Sequence, residues 1–156
     1  MTLGLTMLKY FVRSRDGCTA EEPLSLSLRV EGEEILVRPD DVLVRPDGGR
    51  IIRRVRTGHI RSFESKDVGA AALLLAVRQA FPGAVVELVH LSDGASHPIA
   101  LTIKELQTRR DKLGSFLRDI RAGRFPSQVS SFTCPGCPAF FICGPIPQGP
   151  LQKKFT

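Results

Sequence analysis

Alternating apolar and polar positions predict extended structure in the first third of the chain. The stretch "LSLSLRV" at 24–30 alternates strictly, which is typical of a half-buried strand. Residues 35–46 are predicted to continue as one extended strand punctuated by proline, and "PDGGR" at 46–50 predicts a tight hairpin turn. The segment "IIRRVR" at 51–56 is expected to be the strand that returns from this turn.

The pattern then changes to that of a helix followed by further strands. Asp67 is a suitable N-cap for a helix over roughly 68–81, and the centre of this helix, "AAALLLAV", is apolar on all sides. A helix of that kind is expected to be buried. The continuous apolar run at 84–91 predicts a strand, and 97–101 predicts a short edge strand, because Pro98 has no N–H to donate.

A second, basic helix is predicted from Thr102 to Gly123. Thr102 and Glu105 have the spacing of a capping box at its start. Lysine and arginine occupy much of its surface, whereas its predicted core stripe consists of Ile103, Leu106, Leu113, Phe116, Leu117 and Ile120. After residue 126 proline, glycine and cysteine dominate, and regular structure is not expected.

This order of elements predicts an α/β fold with a mixed central sheet flanked by helices. Three segments are expected: a poorly committed N-terminal segment at 1–23, an α/β core at 24–125, and an irregular cysteine-rich tail at 126–156. Gly4, Gly17 and Pro23 interrupt the few apolar positions of the first segment, so no element is assigned to it.

The composition of the chain is basic, and its sequence favours a reducing cellular compartment. The formal net charge is +6, which favours a polyanionic partner such as DNA over a neutral one. No apolar run reaches the length of a membrane span, and the N-terminal residues lack the pattern of a secretion signal, so a cytoplasmic protein without a membrane partner is expected. In that compartment clustered cysteines favour metal binding over a disulfide.

The hairpin region resembles the nuclease domain of the PD-(D/E)xK superfamily, in the branch of RecB/AddB-type nucleases and their relatives in CRISPR adaptation. The matching segment is "RPDDVLVRPDGGRIIRRVRTGH" at 38–59, where the family has an Asp before the hairpin and an acid-x-Lys followed by Thr-Gly after it. The Asp position falls on Asp40, with Asp41 beside it. The basic helix, "AGRFPS" at 122–127 and the C-x2-C-x5-C tail follow in the order of that branch. The resemblance implies a restriction-endonuclease-like core.

The chain departs from the family at the residues that perform the chemistry. The family holds Mg²⁺ between two carboxylates, but the second acid falls on Arg54 and the lysine on Arg56. A guanidinium cannot ligate Mg²⁺ and does not lose its proton near neutral pH. A degenerate nuclease fold that does not cut is therefore expected, with Asp40, Asp41, Arg54 and Arg56 as its vestigial site.

Arginines at a former catalytic site have two interpretations. Alternation along the strand puts Arg54 and Arg56 on one face and Arg53 on the other. In the first interpretation Arg54 and Arg56, with Arg38 and Arg61 nearby, hold DNA phosphates. In the second, Arg54 pairs with Asp40 or Asp41 and fills the inactive site.

Three of the four cysteines, Cys134, Cys137 and Cys143, lie within the tail. The resemblance implies that they bind a [4Fe–4S] cluster together with one upstream cysteine; Cys18 is the only other cysteine of the chain, and a ligand from a partner chain is the alternative. Thiolates also bind structural zinc, so a zinc site and a tail without metal remain alternatives.

Three functions are compatible with these features. The first is a non-catalytic, nuclease-like subunit that binds DNA or braces a helicase or nuclease partner, with a metal-stapled tail; DNA repair and phage defence are both compatible with it. The second is an active, Mg²⁺-dependent DNA exonuclease with a migrated site that uses Asp40, Asp41 and Glu64. The third is a protein-interaction module with a zinc knuckle.

Overall fold

A five-stranded mixed sheet organises the fold. The computed structural model describes residues 3–124, which divide into a compact unit up to Arg118 and the first residues of a second unit from Asp119. The sheet has the order β1-β4-β5-β6-β7, in which only the pair β5–β6 is parallel. Its strands are β1 (Thr19–Glu21), β4 (Asp41–Val44), β5 (Arg50–Arg56), β6 (Val85–His90) and β7 (Ala95–Pro98). The predicted α/β class with a mixed central sheet flanked by helices is confirmed.

A separate two-stranded sheet was not predicted. It consists of β2 (Leu26–Val30) and β3 (Glu33–Val37), joined by a two-residue turn in which Glu31 and Gly32 both have positive φ. The prediction that 35–46 runs on as one strand is wrong, because the chain leaves this small sheet at Val37 and enters the central sheet at Asp41. Pro39 lies between the two and has no N–H for a ladder bond.

The helix α2 (Val68–Ala80) lies in the hydrophobic core as its all-apolar sequence predicts. Asp67 accepts a hydrogen bond from the Ala70 N–H at 2.6 Å and so caps the helix. Leu73, Ala76 and Val77 are fully buried. The core around α2 takes side chains from both sheets, namely Val42, Ile52, Val86 and Leu88 from the central sheet and Leu26, Leu28, Val30 and Val37 from the small one. Apolar neighbours on two sides explain why the centre of α2 has no polar residue, whereas Arg78 and Gln79 near its C-terminus are exposed.

The helix α3 (Ile103–Arg121) begins at the predicted capping box. The Thr102 N–H donates to Glu105 Oε2 at 2.9 Å, and the Glu105 N–H donates to Thr102 Oγ1 at 3.2 Å. The predicted core stripe is only partly correct. Leu106 is buried and Leu113 and Leu117 pack against the core, whereas the remaining members of the stripe, Ile103, Phe116 and Ile120, are exposed.

The N-terminal segment contains two elements that the sequence left unassigned. The helix α1 (Leu3–Arg13) precedes β1, and Gly17 lies between them at φ 76°. Gly17 therefore supplies a left-handed turn after the helix rather than interrupting it. Contacts made by Ser14 and Arg15 place the end of α1 against the face of the central sheet that α2 does not cover. Among the helices of residues 3–124, none has both the length and the apolar character needed to cross a bilayer.

Candidate nucleic-acid interface

The arginines of β5 are divided between the two faces of the central sheet. Arg53 is in register with Asp41 on β4 and with Glu87 on β6, and all three face α1. Ile52 belongs to the core beneath α2, so Arg54 and Arg56, two and four residues later, lie on the α2 side. The predicted division of Arg53 from Arg54 and Arg56 is confirmed.

On the α1 side, Arg53 and Asp41 form a buried ion cluster. Both side chains are almost completely inaccessible, and Arg53 Nη1 lies 3.1 Å from Asp41 Oδ2. Arg15, which follows α1, donates from Nη2 to Asp41 Oδ1 at 2.5 Å and from Nε to Oδ2 at 3.3 Å. Arg53 also donates to Ser14 Oγ at 2.8 Å, and its Nε lies 3.8 Å from Glu87 Oε2. Two carboxylates balance two guanidinium groups, which makes the burial of Arg53 tolerable.

The prediction that Arg54 pairs with Asp40 or Asp41 is wrong. Arg15 and Arg53 occupy both oxygens of Asp41 from the opposite face. Asp40 is exposed and accepts the Val55 N–H at 2.8 Å, a donor that is free because β4 begins only at Asp41. Within residues 3–124 Arg54 makes no ion pair with either acid, although its Nε is buried.

The predicted vestigial site, Asp40, Asp41, Arg54 and Arg56, does not fit Mg²⁺. This ion requires oxygen ligands, and it usually takes one or two carboxylates together with water and phosphate. Asp41 is saturated by guanidinium groups, and arginines stand where the second acid and the lysine would be. Among residues 3–124 no group of three or more His, Cys, Asp or Glu side chains is placed to hold a metal ion.

The α2 side of β5 carries a different polar cluster, formed by Glu64, His90 and Arg56. His90 is fully buried, and its Nε2 lies 2.9 Å from Glu64 Oε2. Because an ionised carboxylate has only acceptors, Nε2–H is the donor. Arg56 Nε lies 3.9 Å from the other oxygen of Glu64. Glu64 was a predicted member of a migrated catalytic site, but in the structure it contacts a histidine and an arginine.

The Glu64 contact predicts a pH-dependent contribution to stability. The pKa of Glu64 lies below its ordinary value of 4.5, first because of the His90 hydrogen bond and further because of the Arg61 N–H and the charge of Arg56. A lowered folded-state pKa means that the stabilisation is present above pH 4.5 and is lost as the pH falls through the folded value. We expect Glu64→Gln to melt at a lower temperature than wild type at pH 7. The difference between the two melting temperatures should become smaller below pH 4.5.

The measurement is a thermal melt of wild type and variant over a pH series. Glu22→Gln is the matched control, because Glu22 is exposed and no hydrogen bond or ion pair is described for it. The Glu22→Gln variant should have the same melting temperature as wild type at every pH. A Glu64→Gln gap that stays constant across the series would contradict the assigned contact.

The loop from 57 to 66, which joins β5 to α2, surrounds a cavity of about 410 Å³. Arg56, His59, Arg61 and Glu64 are among the residues that line it. The loop is fixed at its base by Asp93, which accepts the Ile60 N–H at 2.6 Å and lies 2.5 Å from His59 Nδ1. The pKa of Asp93 is lowered by its hydrogen bond to His59 and by the Ile60 N–H.

Around this loop and the end of β5, more arginines than carboxylates lack an internal partner among the described residues. Three carboxylates near it are used internally: Glu64 by His90, Asp93 by the loop backbone, and Asp67 by the α2 N-terminus. By contrast, no ion pair is described for Arg54 or Arg61 within residues 3–124, and the Arg56 pair is long. We call Arg54, Arg56 and Arg61 the arginine surface: Arg56 and Arg61 line the cavity, and Arg54 lies two residues before Arg56 on the same face of β5. It has the composition required to hold phosphate groups.

The remaining predicted site residues lie elsewhere. Arg38 is exposed in the connection between β3 and β4. Cys18 follows α1, is half-buried, forms no disulfide, and donates its N–H to the Arg15 carbonyl at 3.0 Å. Cys134, Cys137 and Cys143 lie outside the described residues, so the predicted cluster stays a prediction.

Three features of these clusters were not predicted from the sequence: the roles of Arg15 and Arg53 and the Glu64–His90 contact. One of these could have been found from the hairpin. Counting back from the turn, the antiparallel ladder pairs Val44 with Arg50 and therefore Asp41 with Arg53. Arg15 and His90 have no such signal, because their partners are 26 residues away on other elements.

Comparison with known proteins gives no independent assignment. The sequence matches no protein-family model and no curated protein. The geometry of the described residues is therefore the basis for a function.

Proposed function

We propose that this chain is a nuclease-like module that binds DNA through the arginine surface and does not cut it. The proposal is supported by the order of its elements: an antiparallel hairpin, a buried crossover helix and a parallel strand beside the second hairpin strand. This is the core arrangement that the resemblance to PD-(D/E)xK nucleases implies. Arginines at the metal positions change a site for cleaving phosphodiesters into one for holding them.

The observation that carries the proposal is that the acids near the end of β5 have internal partners, whereas two of its nearby arginines have no described acidic partner. Asp41 is saturated by two arginines on the far face, and Glu64 is held by His90. Arg54 and Arg61 are left without a described acidic partner on the α2 side. A surface with spare cations and no spare carboxylate pair favours phosphate binding over metal-dependent cleavage.

A [4Fe–4S] cluster that staples the tail to Cys18 belongs to the same proposal, as does a helicase or nuclease subunit as protein partner. Cys18 supports the first point by its position, since it is partly accessible and lies directly before the edge strand β1. Iron and sulfide analysis of an anaerobic preparation tests the cluster, and zinc without sulfide would contradict it.

The DNA-binding prediction is tested by removing charge. We expect the triple variant Arg54→Gln, Arg56→Gln and Arg61→Gln to bind labelled duplex DNA more weakly, whatever its sequence. The slope of log K against log salt should become shallower by roughly 0.9 for each phosphate that the variant no longer neutralises. The measurement is a fluorescence anisotropy titration at several salt concentrations.

A control of equal net charge is available at Arg13, Arg29 and Arg78. These arginines are exposed, form no described ion pair, and lie on α1, β2 and the C-terminal turn of α2. Their triple change to Gln should weaken binding much less. An equal loss in the two variants, or no binding by wild type, would overturn the proposal. Mg²⁺-dependent cleavage by wild type that Asp40→Ala abolishes would restore the exonuclease alternative.

A further inference from the structure

The loop from 57 to 66 holds apolar side chains in solvent although its backbone is firmly anchored. Phe63 is 62% exposed and Ile60 is 45% exposed. Glu64, next to Phe63, is bonded to the buried His90, and the Ile60 N–H is bonded to Asp93. Ser92 Oγ donates to the Thr57 carbonyl at the start of the loop. The anchors therefore hold Phe63 on the surface, although burial of its ring would be favourable.

Phe63 forms one wall of a second cavity of about 410 Å³, on the α3 side of the loop. Its lining also includes Lys66, Arg109 and Lys112, of which Lys66 is paired through Nζ with Glu105 Oε1 at 3.0 Å. Arg109 Nε donates to the Lys66 carbonyl at 2.7 Å, which fixes the guanidinium and leaves its two Nη atoms without a described partner. The cavity thus combines an exposed aromatic ring with a positioned guanidinium group.

We propose that this cavity holds one unpaired nucleotide of single-stranded DNA. The base stacks on the Phe63 ring, and the phosphate lies against Arg109 and Lys112. Aromatic stacking combined with a cationic track is the general way in which proteins bind single strands, and it accepts every base because each has a π-face. A base within a duplex is covered on both faces by its neighbours and is not available to Phe63.

The lining favours a nucleic acid over a protein partner. The centre of a protein–protein interface is depleted in lysine, whereas Lys66 and Lys112 line this cavity, and the one acid of its lining, Asp67, accepts the Ala70 N–H at the start of α2. Its volume lies in the range of small-ligand pockets, which suits one nucleotide better than a peptide segment. The inference rests on the proposed DNA binding and adds to it a preference for strands with unpaired bases.

The chain contains no tryptophan, so Phe63→Trp introduces a single fluorophore at the proposed stacking position. We expect oligo(dT) to quench this fluorescence and a blunt duplex of equal length to leave it nearly unchanged. Phe63→Ala should weaken oligo(dT) binding by roughly 5- to 150-fold, from the usual range of stacking on one base. The salt slope and the duplex affinity should stay as in wild type, because no cation is removed.

Leu36→Ala is the matched control, since Leu36 is a 68% exposed apolar residue on β3, away from the loop. It should bind oligo(dT) as wild type does, and Phe63→Tyr should retain most of the affinity. If the arginine-surface variant weakens DNA binding but Phe63→Ala does not, the stacking site is wrong while the proposed function stands. If wild type binds neither oligo(dT) nor duplex, both fail. Equal quenching of Phe63→Trp by the two DNA forms also contradicts the stacking site.

Discussion

Replacing Asp41 by alanine is expected to destabilise the fold by about 3–5 kcal/mol, the usual cost of breaking a buried ion pair from one side. Arg53 would keep its charge with almost no access to water, and only Ser14 Oγ and the distant Glu87 carboxylate would remain near it. Arg15 would suffer less, because about a third of its side chain is exposed and can be solvated. The measurement is chemical denaturation of wild type and variant at neutral pH.

Two further variants separate the loss of the Asp41–Arg53 ion pair from other effects of the Asp41→Ala substitution. Asp40→Ala removes a neighbouring, exposed carboxylate that accepts a single backbone N–H, and it should cost far less. The double change Asp41→Leu with Arg53→Met removes both buried charges, and it should recover most of the stability that Asp41→Ala removes. An Asp41→Ala variant as stable as wild type, or a double variant no better than the single one, would show that the pair is not buried as described.

Replacing Leu73 by alanine is expected to cost about 2–5 kcal/mol, the range for truncating a leucine in a packed core. Leu73 is fully inaccessible in the centre of α2 and belongs to a core cluster that takes side chains from both sheets, so surrounding side chains have little room to fill the space. Alanine has the higher helix propensity, so the destabilisation would come from packing and not from the helix itself. Chemical denaturation measures this effect too.

Leu75 provides the comparison on the same helix. It is only half-buried and lines a surface cavity with Arg78 and Ile103. Leu75→Ala makes the same chemical change but should cost clearly less, because the methyl groups that it removes are partly in water. Equal destabilisation at the two positions would contradict the placement of α2 with Leu73 toward the core.

A structural ion cluster and the proposed DNA-binding arginines lie on opposite faces of one strand. On the α1 face Arg53 is neutralised and structural. On the α2 face Arg54 and Arg56 are half-buried, and their only described acidic partner is the distant Glu64 carboxylate. Changes at the arginine surface should therefore alter DNA binding with little effect on folding, whereas Asp41 changes should do the reverse.

The sequence by itself determined the elements whose signals are local. The capping box at Thr102 and Glu105, the turn at 46–50 and the all-apolar helix after Asp67 each depend on residues a few positions apart. Such patterns act through backbone geometry and nearby hydrogen bonds, so they can be interpreted before the chain is folded. The edge position of the strand with Pro98 follows from the same kind of rule.

Only the tertiary structure decided which charges meet. Arg15 reaches Asp41 because α1 lies against the central sheet, and nothing in residues 1–23 indicated that contact. His90 meets Glu64 because the loop before α2 folds back over the end of β6. Alternation along β5 separated Arg53 from Arg54, but burial of Arg53 depends on what covers its face. A local pattern fixes the direction of a side chain, whereas its partner is set by elements that are distant in sequence.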